Sequence, residues 1–439
     1  VKIAILGGGL SGITLARLYQ EKGYEVEVLE KEPVAGGLCR SRIERGFTFD
    51  MGGSHIIFSR DAEVLSFMHR MLQGNREARR RNTKIYHRNT YVKYPFENGL
   101  HELQRDECFF CLYEFIQSLI AVERGEIDPP RNFREWMYYT FGKGIADLYL
   151  IPYNEKIWKY PSHLMSCHWV EGRIPRPPVE DVIKSAIGIE TEGYTHQIEF
   201  VYPRIGGIQA LIQAIAAPIQ SCIRCNFYIT SIRRQNDTYI ISNGHEEITA
   251  DRVISTLPVQ ALIASLGSVP WNVREACDNL RYNSLYCVCI GVKGQVPPFS
   301  WVYIPDPQSG LFNRISFPST YSSEVAPPGH SSILAEITFH EGDEIDSLDE
   351  AGILSHVLSA LEGMNLIVRP EDVVYTHVER HRYAYVIYDL AYLDNIAVIR
   401  DFIRSQGIGS VGRFAQFEYL NMDGCIRSVM DYVREHPCG

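Results

Sequence analysis

The chain has 439 residues, 45% of them hydrophobic and 22% charged, enough to bury a large core, and at about 100 to 200 residues per domain it should hold two or three domains. Its 43 Lys and Arg against 53 Asp and Glu give a net charge of -10, which argues against general binding to nucleic acid or to an anionic membrane, so an anionic ligand would need a local group of arginines. No uncharged apolar run approaches the ~20 residues of a membrane helix, and the first residues enter a strand pattern directly rather than a cleavable signal, so the expected location is the cytoplasm.

Residues 1 to 30 read as strand, Gly-rich turn, amphipathic helix and second strand. The apolar strand Ile3 to Leu6 runs into Gly7-x-Gly9-x-x-Gly12, and a helix opens at Leu10-Ser11-Gly12. In this pattern Gly7 permits the tight turn, Gly9 lets the backbone approach a pyrophosphate, and Gly12 lets helix and strand pack closely. The diphosphate belongs on the helix N-terminus, where free N–H groups and the dipole favour anions. Glu30, followed by Lys31, stands at the end of the second strand, placed to accept from ribose hydroxyls.

Residues 61 to 170 are mostly helical in pattern and rich in aromatics. Within them Cys108 and Cys111 form a CxxC pair, as Cys222 and Cys225 do further on; the first pair lies in an apolar helical run and the second lacks the turn residues of a zinc knuckle, so no metal site is expected. Short alternating runs from 196 to 260 surround one helix, and more strands follow between 281 and 391. The end of the chain returns to a Gly-rich strand end, GIGSVGRF, and a helix. The expected architecture is therefore α/β. A discontinuous Rossmann-like dinucleotide domain (1–60, 196–260 and 405–439) would carry an inserted helical domain (61–175) and an antiparallel sheet domain (176–195 and 261–404).

The continuation of the first motif, Ala35-Gly36-Gly37-Leu38-Cys39-Arg40 and Asp50-Met51-Gly52-Gly53, resembles the GG-loop of the amine oxidase and mutase group of flavoproteins. Tyr202-Pro203-x-x-Gly206-Gly207, Ser255-Thr256-Leu257-Pro258 and Gly412-Arg413-Phe414 through Tyr419 to Met422-Asp423 add to that resemblance. It implies FAD, and it assigns cofactor contacts to Gly37, Leu38, Gly53, Ser54, His55, Leu257, Arg413, Met422 and Asp423.

The middle of the chain is more discriminating. Phe141-Gly142-Lys143-Gly144, Pro152-Tyr153-Asn154-x-x-x-Trp158 and Trp169-x-x-x-Arg173, followed by Tyr303, Arg314, Tyr321, Tyr385 and Tyr419, resemble the UDP-galactopyranose mutases, the eukaryotic branch more than the bacterial one. The resemblance implies a nucleotide-diphosphate sugar as substrate, with Arg173 and Arg314 on its diphosphate and His55 beside the flavin ring. Tyr94, Glu97, Asn154, Trp158, Tyr303, Tyr321, Tyr385 and Tyr419 would contact the substrate, and Arg81 and Thr83 the reduced isoalloxazine. Reduced flavin would be the active form, with NAD(P)H as its reductant. Arginines and tyrosines also suit a diphosphate on chemical grounds, as paired charge-assisted donors and hydroxyl donors.

Two departures stand out. Glu97 occupies a position that is glutamine in the eukaryotic mutases, and Ser54 is inserted between the glycines and His55. The identity of base and sugar, and the oligomeric state, stay open. So do two other readings: an oxidoreductase of the amine-oxidase or desaturase type, and a catalytically silent flavin-binding protein.

Overall fold

The computed structural model describes residues 1–170, 173–174, 176–191, 198–367 and 369–437. The domain boundaries expected at 175/176 and 195/196 involve residues outside that set.

The strand Lys2–Leu6, with its last four residues fully inside, is the centre of a five-stranded sheet. The order is Gly409–Ser410, Arg252–Ser255, Lys2–Leu6, Glu25–Leu29, Ile223–Arg224. Every neighbouring pair is parallel. A parallel strand is covered on both faces, which is why its sequence is apolar without alternation. The helix Leu10–Glu21 lies against the sheet and against the helices Gln209–Ala216 and Met422–Glu435. Both ends and the middle of the chain thus meet in one Rossmann-like layer, the α/β architecture expected.

The glycines of the first turn are required by distance. A Cβ on Gly12 would stand 2.0 Å from the Gly7 carbonyl oxygen, and Gly7 itself has φ of +97°. A second contact fixes the GG-loop: buried Asp50 accepts from Ser41 Oγ (2.8 Å) and from Ile208 N–H (2.9 Å), tying the hairpin Ser41–Glu44/Phe47–Asp50 to the start of Gln209–Ala216.

The second layer is a seven-stranded sheet in the order Val373–Ile387, Arg281–Lys293, His330–Phe339, Arg314–Ser316, Trp301–Tyr303, Thr83–His87, Thr90–Lys93. It departs from the expectation in two ways. Its last two strands come from the 61–175 stretch read as helical, where Thr-Lys-Ile-Tyr-His and Thr-Tyr-Val-Lys carry β-branched and aromatic residues around a tight Arg88-Asn89 turn with positive φ at both positions. The sheet is also not wholly antiparallel, because Trp301–Tyr303 runs parallel to Thr83–His87.

Beside this sheet the helices Arg105–Glu123 and Phe133–Ile145 press together through Gly144, where a Cβ would meet the Cys111 Cα at 2.6 Å. Cys111 is buried in that contact. Gly142, with φ of +72°, breaks the second helix against the Glu114 carbonyl. A wide π-type turn, Ala146–Leu150, then leads into the helix Ile151–Trp158, which faces the sheet. No helix of the described residues is long and apolar enough to cross a membrane.

Candidate active site

The first strand, turn and helix set up an anion cradle. The helix Leu10–Glu21 begins at Gly9 without any side-chain cap, so the N–H groups of its first turn are left for a ligand. Leu10 and Ser11 are buried there. Gly9 and Gly37 face each other closely: a Cβ on Gly37 would lie 3.2 Å from the Gly9 Cα. Glu30 is buried at the end of its strand, accepting from Gly8 N–H at 2.6 Å and from Glu32 N–H at 2.9 Å, which holds the carboxylate beside the turn. Lys31 is exposed and pairs with Glu32 at 3.4 Å. Leu38 backs onto Gly52, where a Cβ would stand 2.3 Å from the Leu38 carbonyl oxygen. Leu257, half-buried, packs next to Gly7.

Polar atoms without partners mark where the rest of a dinucleotide cofactor fits. Arg413 gives Nη1 to the Leu420 carbonyl (2.7 Å) and Nη2 to the Ala384 carbonyl (2.5 Å), yet its buried Nε has no partner. Thr83 Oγ1 is likewise buried and unpaired. Met422 and Asp423 open the helix Met422–Glu435, and Asp423 Oδ2 accepts from Ser59 Oγ at 2.8 Å. These residues, with the capless helix and Glu30, suit the diphosphate, ribose and ring of FAD.

Next to them lies a set of stacked phenols and arginines. Tyr303 sits 5.1 Å from Tyr94 and 5.0 Å from Tyr153, ring to ring. Trp158, Tyr385 and Tyr419 form a triangle with separations of 5.5 to 5.8 Å. Arg173 stands 4.3 Å above the Tyr419 ring and Arg413 4.8 Å from it, while Arg81 lies 5.2 Å over Tyr94. Asn154 and Trp158 share one face of their helix, and the indole N–H donates to Asn154 Oδ1 at 3.1 Å. Glu97 is buried in the turn Phe96–Asn98, and its charge adds to burial in raising the Tyr94 and Tyr149 hydroxyls well above the usual phenol range. The phenols of Tyr94, Tyr153 and Tyr385 are all raised by burial, so they serve as neutral hydrogen-bond donors.

Arg314 is held by a residue that sequence reasoning missed. Its Nε and Nη2 donate to the two oxygens of Glu336 at 2.9 and 2.7 Å, a bidentate pair across neighbouring strands. Glu336 is wholly buried and also accepts from Ser54 N–H at 3.1 Å. Burial opposes the charge of Arg314, but Glu336 outweighs it and holds the guanidinium firmly protonated. A signal was present: Glu336 is the lone charged residue in the apolar strand HSSILAEITF. Tyr153, quoted in the helix motif but not assigned a role, also joins the cluster.

His55 is half-buried beside the same turn. Its Nδ1–H donates to the Gly53 carbonyl at 2.8 Å, which leaves Nε2 as an acceptor. Burial first, then the charges of Arg314, Arg413 and His381, push its pKa down to about 4, so the ring is neutral at neutral pH. Tyr321 is not brought to the phenol cluster. It is 1% exposed, packs on Phe200 and Tyr202, and spends its hydroxyl on Ser54 Oγ (2.8 Å) and the Ser300 carbonyl (3.0 Å). The inserted Ser54 therefore links Tyr321 to Glu336.

An uncapped helix over a glycine cradle, an acid on the ribose side and unpaired donors beyond it define a flavoprotein of the dinucleotide-binding class. Residues 152–405 match the flavin containing amine oxidoreductase family and residues 5–71 the NAD(P)-binding Rossmann-like domain; the chain belongs to the first of these families. Among solved structures it is similar to a reduced UDP-galactopyranose mutase, at 28% identity over 99% of this chain and 93% of that one, with a TM-score of 0.89. A putrescine oxidase bound to putrescine shares the fold at 16% identity, 99% coverage of both chains and a TM-score of 0.67. A 4,4'-diapophytoene desaturase of Staphylococcus aureus is 40% identical over 52 residues, which is 12% of this chain and 10% of that protein. The chain spans 62%, 8% and 10% of the lengths of three of the curated relatives it matches.

The environment of His55 carries a pH signature. An unfolded histidine titrates near 6.5 and this one near 4, so across that window the unfolded chain binds a proton that the folded chain does not, and stability falls as the pH falls. Denaturant unfolding of flavin-free protein at a series of pH values should show the parent losing stability more steeply below pH 6.5 than His55→Gln; parallel profiles would place the ring in ordinary solvent. For the ion pair, Glu336→Met leaves a half-buried guanidinium without its carboxylate and should cost about 2 to 3 kcal/mol. The double variant Arg314→Met/Glu336→Met should be less destabilised than Glu336→Met alone. Additive losses would mean the two side chains do not depend on each other.

Proposed function

We propose that the protein is an FAD-dependent mutase that interconverts the pyranose and furanose forms of a nucleotide-diphosphate sugar. The carrying observation is the approach of Arg173 and Arg314, the two arginines not assigned to the cofactor, to one tyrosine-lined site in a chain of net charge -10. A hydrophobic amine or a polyene has little use for such a group, whereas a diphosphate needs it. The 28% identity and end-to-end similarity to the reduced UDP-galactopyranose mutase support the same reading.

Bound and reduced, the flavin supplies a nucleophilic ring nitrogen, the chemistry suited to an exchange at the anomeric carbon with no net oxidation. The protein's own part is binding and electrostatics. Arg314 has Nε and one Nη2 hydrogen engaged by Glu336, which leaves Nη1 and the second Nη2 hydrogen for a phosphate oxygen. Arg173, stacked on Tyr419, keeps its guanidinium edge for the other phosphate. Together they stabilise the departing diphosphate, and the neutral phenols of Tyr94 and Tyr385 donate to sugar and phosphate oxygens. His55 offers Nε2 as an acceptor beside the ring. Tyr94 stacks on the base, and Glu97, which as a carboxylate only accepts, selects a base edge that offers N–H donors. NAD(P)H activates the flavin without being a stoichiometric substrate, and the enzyme works in the cytoplasm.

A second reading, an oxidoreductase of the amine-oxidase or desaturase type, is favoured by the family match over 152–405 and by the desaturase relative. The two separate cleanly in one assay. With candidate nucleotide sugars under anaerobic conditions, isomerisation should appear only after dithionite or NAD(P)H reduction, with no reductant consumed per turnover. Turnover by oxidised enzyme, with peroxide released in step, supports the oxidoreductase instead. Arg173→Ala should weaken nucleotide-diphosphate binding by about 2 to 5 kcal/mol with flavin content unchanged. Competition of UDP, CDP and GDP for the reduced enzyme tests Glu97: CDP or GDP should bind tightest, and Glu97→Gln should shift the ranking towards UDP.

A further inference from the structure

The helix Ile151–Trp158 has a second face. Trp158 packs on the rings of Tyr385 and Tyr419 and donates to Asn154, and Lys156 lies on the opposite side of the helix. There a pocket of about 300 Å³ opens between Pro152, Lys156 and Lys159 on the helix side and Pro307, Gly310 and Leu311 across from it. Lys156 is only 6% exposed, yet among the described residues its ammonium has one partner, the Asp306 carbonyl at 2.9 Å. An ammonium carries three N–H donors, so two point elsewhere.

The anions around the pocket are already engaged. Glu155, which also lines it, accepts through Oε1 from Arg134 (2.6 Å), from Ser162 N–H (2.8 Å) and from Ser162 Oγ (2.7 Å). The Asp306 carboxylate accepts from Gln308 N–H and Ser309 Oγ. Asp343 accepts from the N–H groups of His340, Ile345 and Asp346. Neither Lys156 nor Lys159 forms an ion pair among the described residues. One buried and one half-buried cation therefore face one cavity, and the carboxylate that shares its lining, Glu155, is held by Arg134 and Ser162. Burial, and then the charge of Lys159, push the Lys156 ammonium down to about 7 against the pull of Asp306.

We propose that this pocket is a second ligand site, in which Lys156 and Lys159 hold an oxyanion of the phosphate class, free or as a small phosphomonoester. Its volume admits a phosphate with a few further atoms. The main chain of Lys156 is pinned as well: its carbonyl accepts from Thr338 Oγ1 at 3.0 Å, so the ammonium is aimed by backbone and packing together.

The test uses the FAD-loaded protein and reads the lysines directly. Trace acetylation with acetic anhydride, followed by peptide mass spectrometry, should show Lys156 and Lys159 protected in a saturable manner by inorganic phosphate or by glycerol 3-phosphate. The arm that protects identifies the source of the phosphate. Lys156→Met removes a buried group and could impair folding, so half-buried Lys159→Met is the decisive variant: it should weaken protection of Lys156 about tenfold, the worth of one charge-assisted contact. Labelling unchanged by either anion overturns the proposal, as does protection that survives Lys159→Met undiminished. Both readouts are independent of turnover, so they stand apart from the assignment of the reaction.

Discussion

The carboxylate of Glu336 sets the spacing on which the reaction side of the molecule depends. It lies in the middle of the seven-stranded sheet, fully buried, and receives the Nε and Nη2 edge of Arg314 together with the backbone of Ser54. Gly53 comes so near that an added Cβ would be 3.0 Å from a carboxylate oxygen. One side chain thus fixes the distance between the sheet that carries the arginine and the turn that carries His55. A lone buried carboxylate would be expensive, and so would a lone buried guanidinium; bidentate pairing makes each the condition for the other. The free hydrogens of Arg314 then have a single direction.

Around that pair the site uses arginines in a particular way. Arg81, Arg173 and Arg413 lie over phenol rings. A flat guanidinium can stack on a ring face and still offer its edge, which a lysine ammonium cannot do as well. The positive charge stays available, and a chain that is acidic overall can present a basic interior to one kind of ligand.

What was legible in the sequence follows from how strictly geometry limits residue type. Gly7 and Gly12 could be read because backbone approach and positive φ exclude almost everything else, and Glu30 because it closes the same unit, while Gly37 was located through resemblance. The mixed α/β architecture followed from strand and helix periods at both ends of the chain. Tyr94, Tyr303, Tyr385, Tyr419 and Trp158 were located through resemblance, and the structure gathers them; Tyr321 matched by the same reasoning but is turned into a closed aromatic cluster. Nothing in its local sequence says which way that ring points. The strands Thr83–His87 and Thr90–Lys93 were hidden inside a stretch with helical character, since only pairing with Trp301–Tyr303 makes them a sheet. Glu336 was visible as an oddity, a charge in an apolar strand, but its partner lies 22 residues away and is revealed only by register.

The interlaced parallel sheet bears on how the protein is made. Its central strand is synthesised first, while Arg252–Ser255 and Gly409–Ser410, the two strands on one side of it, arrive in the middle and near the end. As the chain leaves the ribosome, the glycine turn and its helix must wait for hundreds of residues before Arg413 and the helix Met422–Glu435 close over them. Parallel pairing across such separations is slow, and until Met422–Glu435 arrives the helix Leu10–Glu21 has only Gln209–Ala216 of its two partner helices. Nascent chains are therefore vulnerable to aggregation and to chaperone capture until the segment that carries Gly409–Ser410 and Met422–Glu435 has been made.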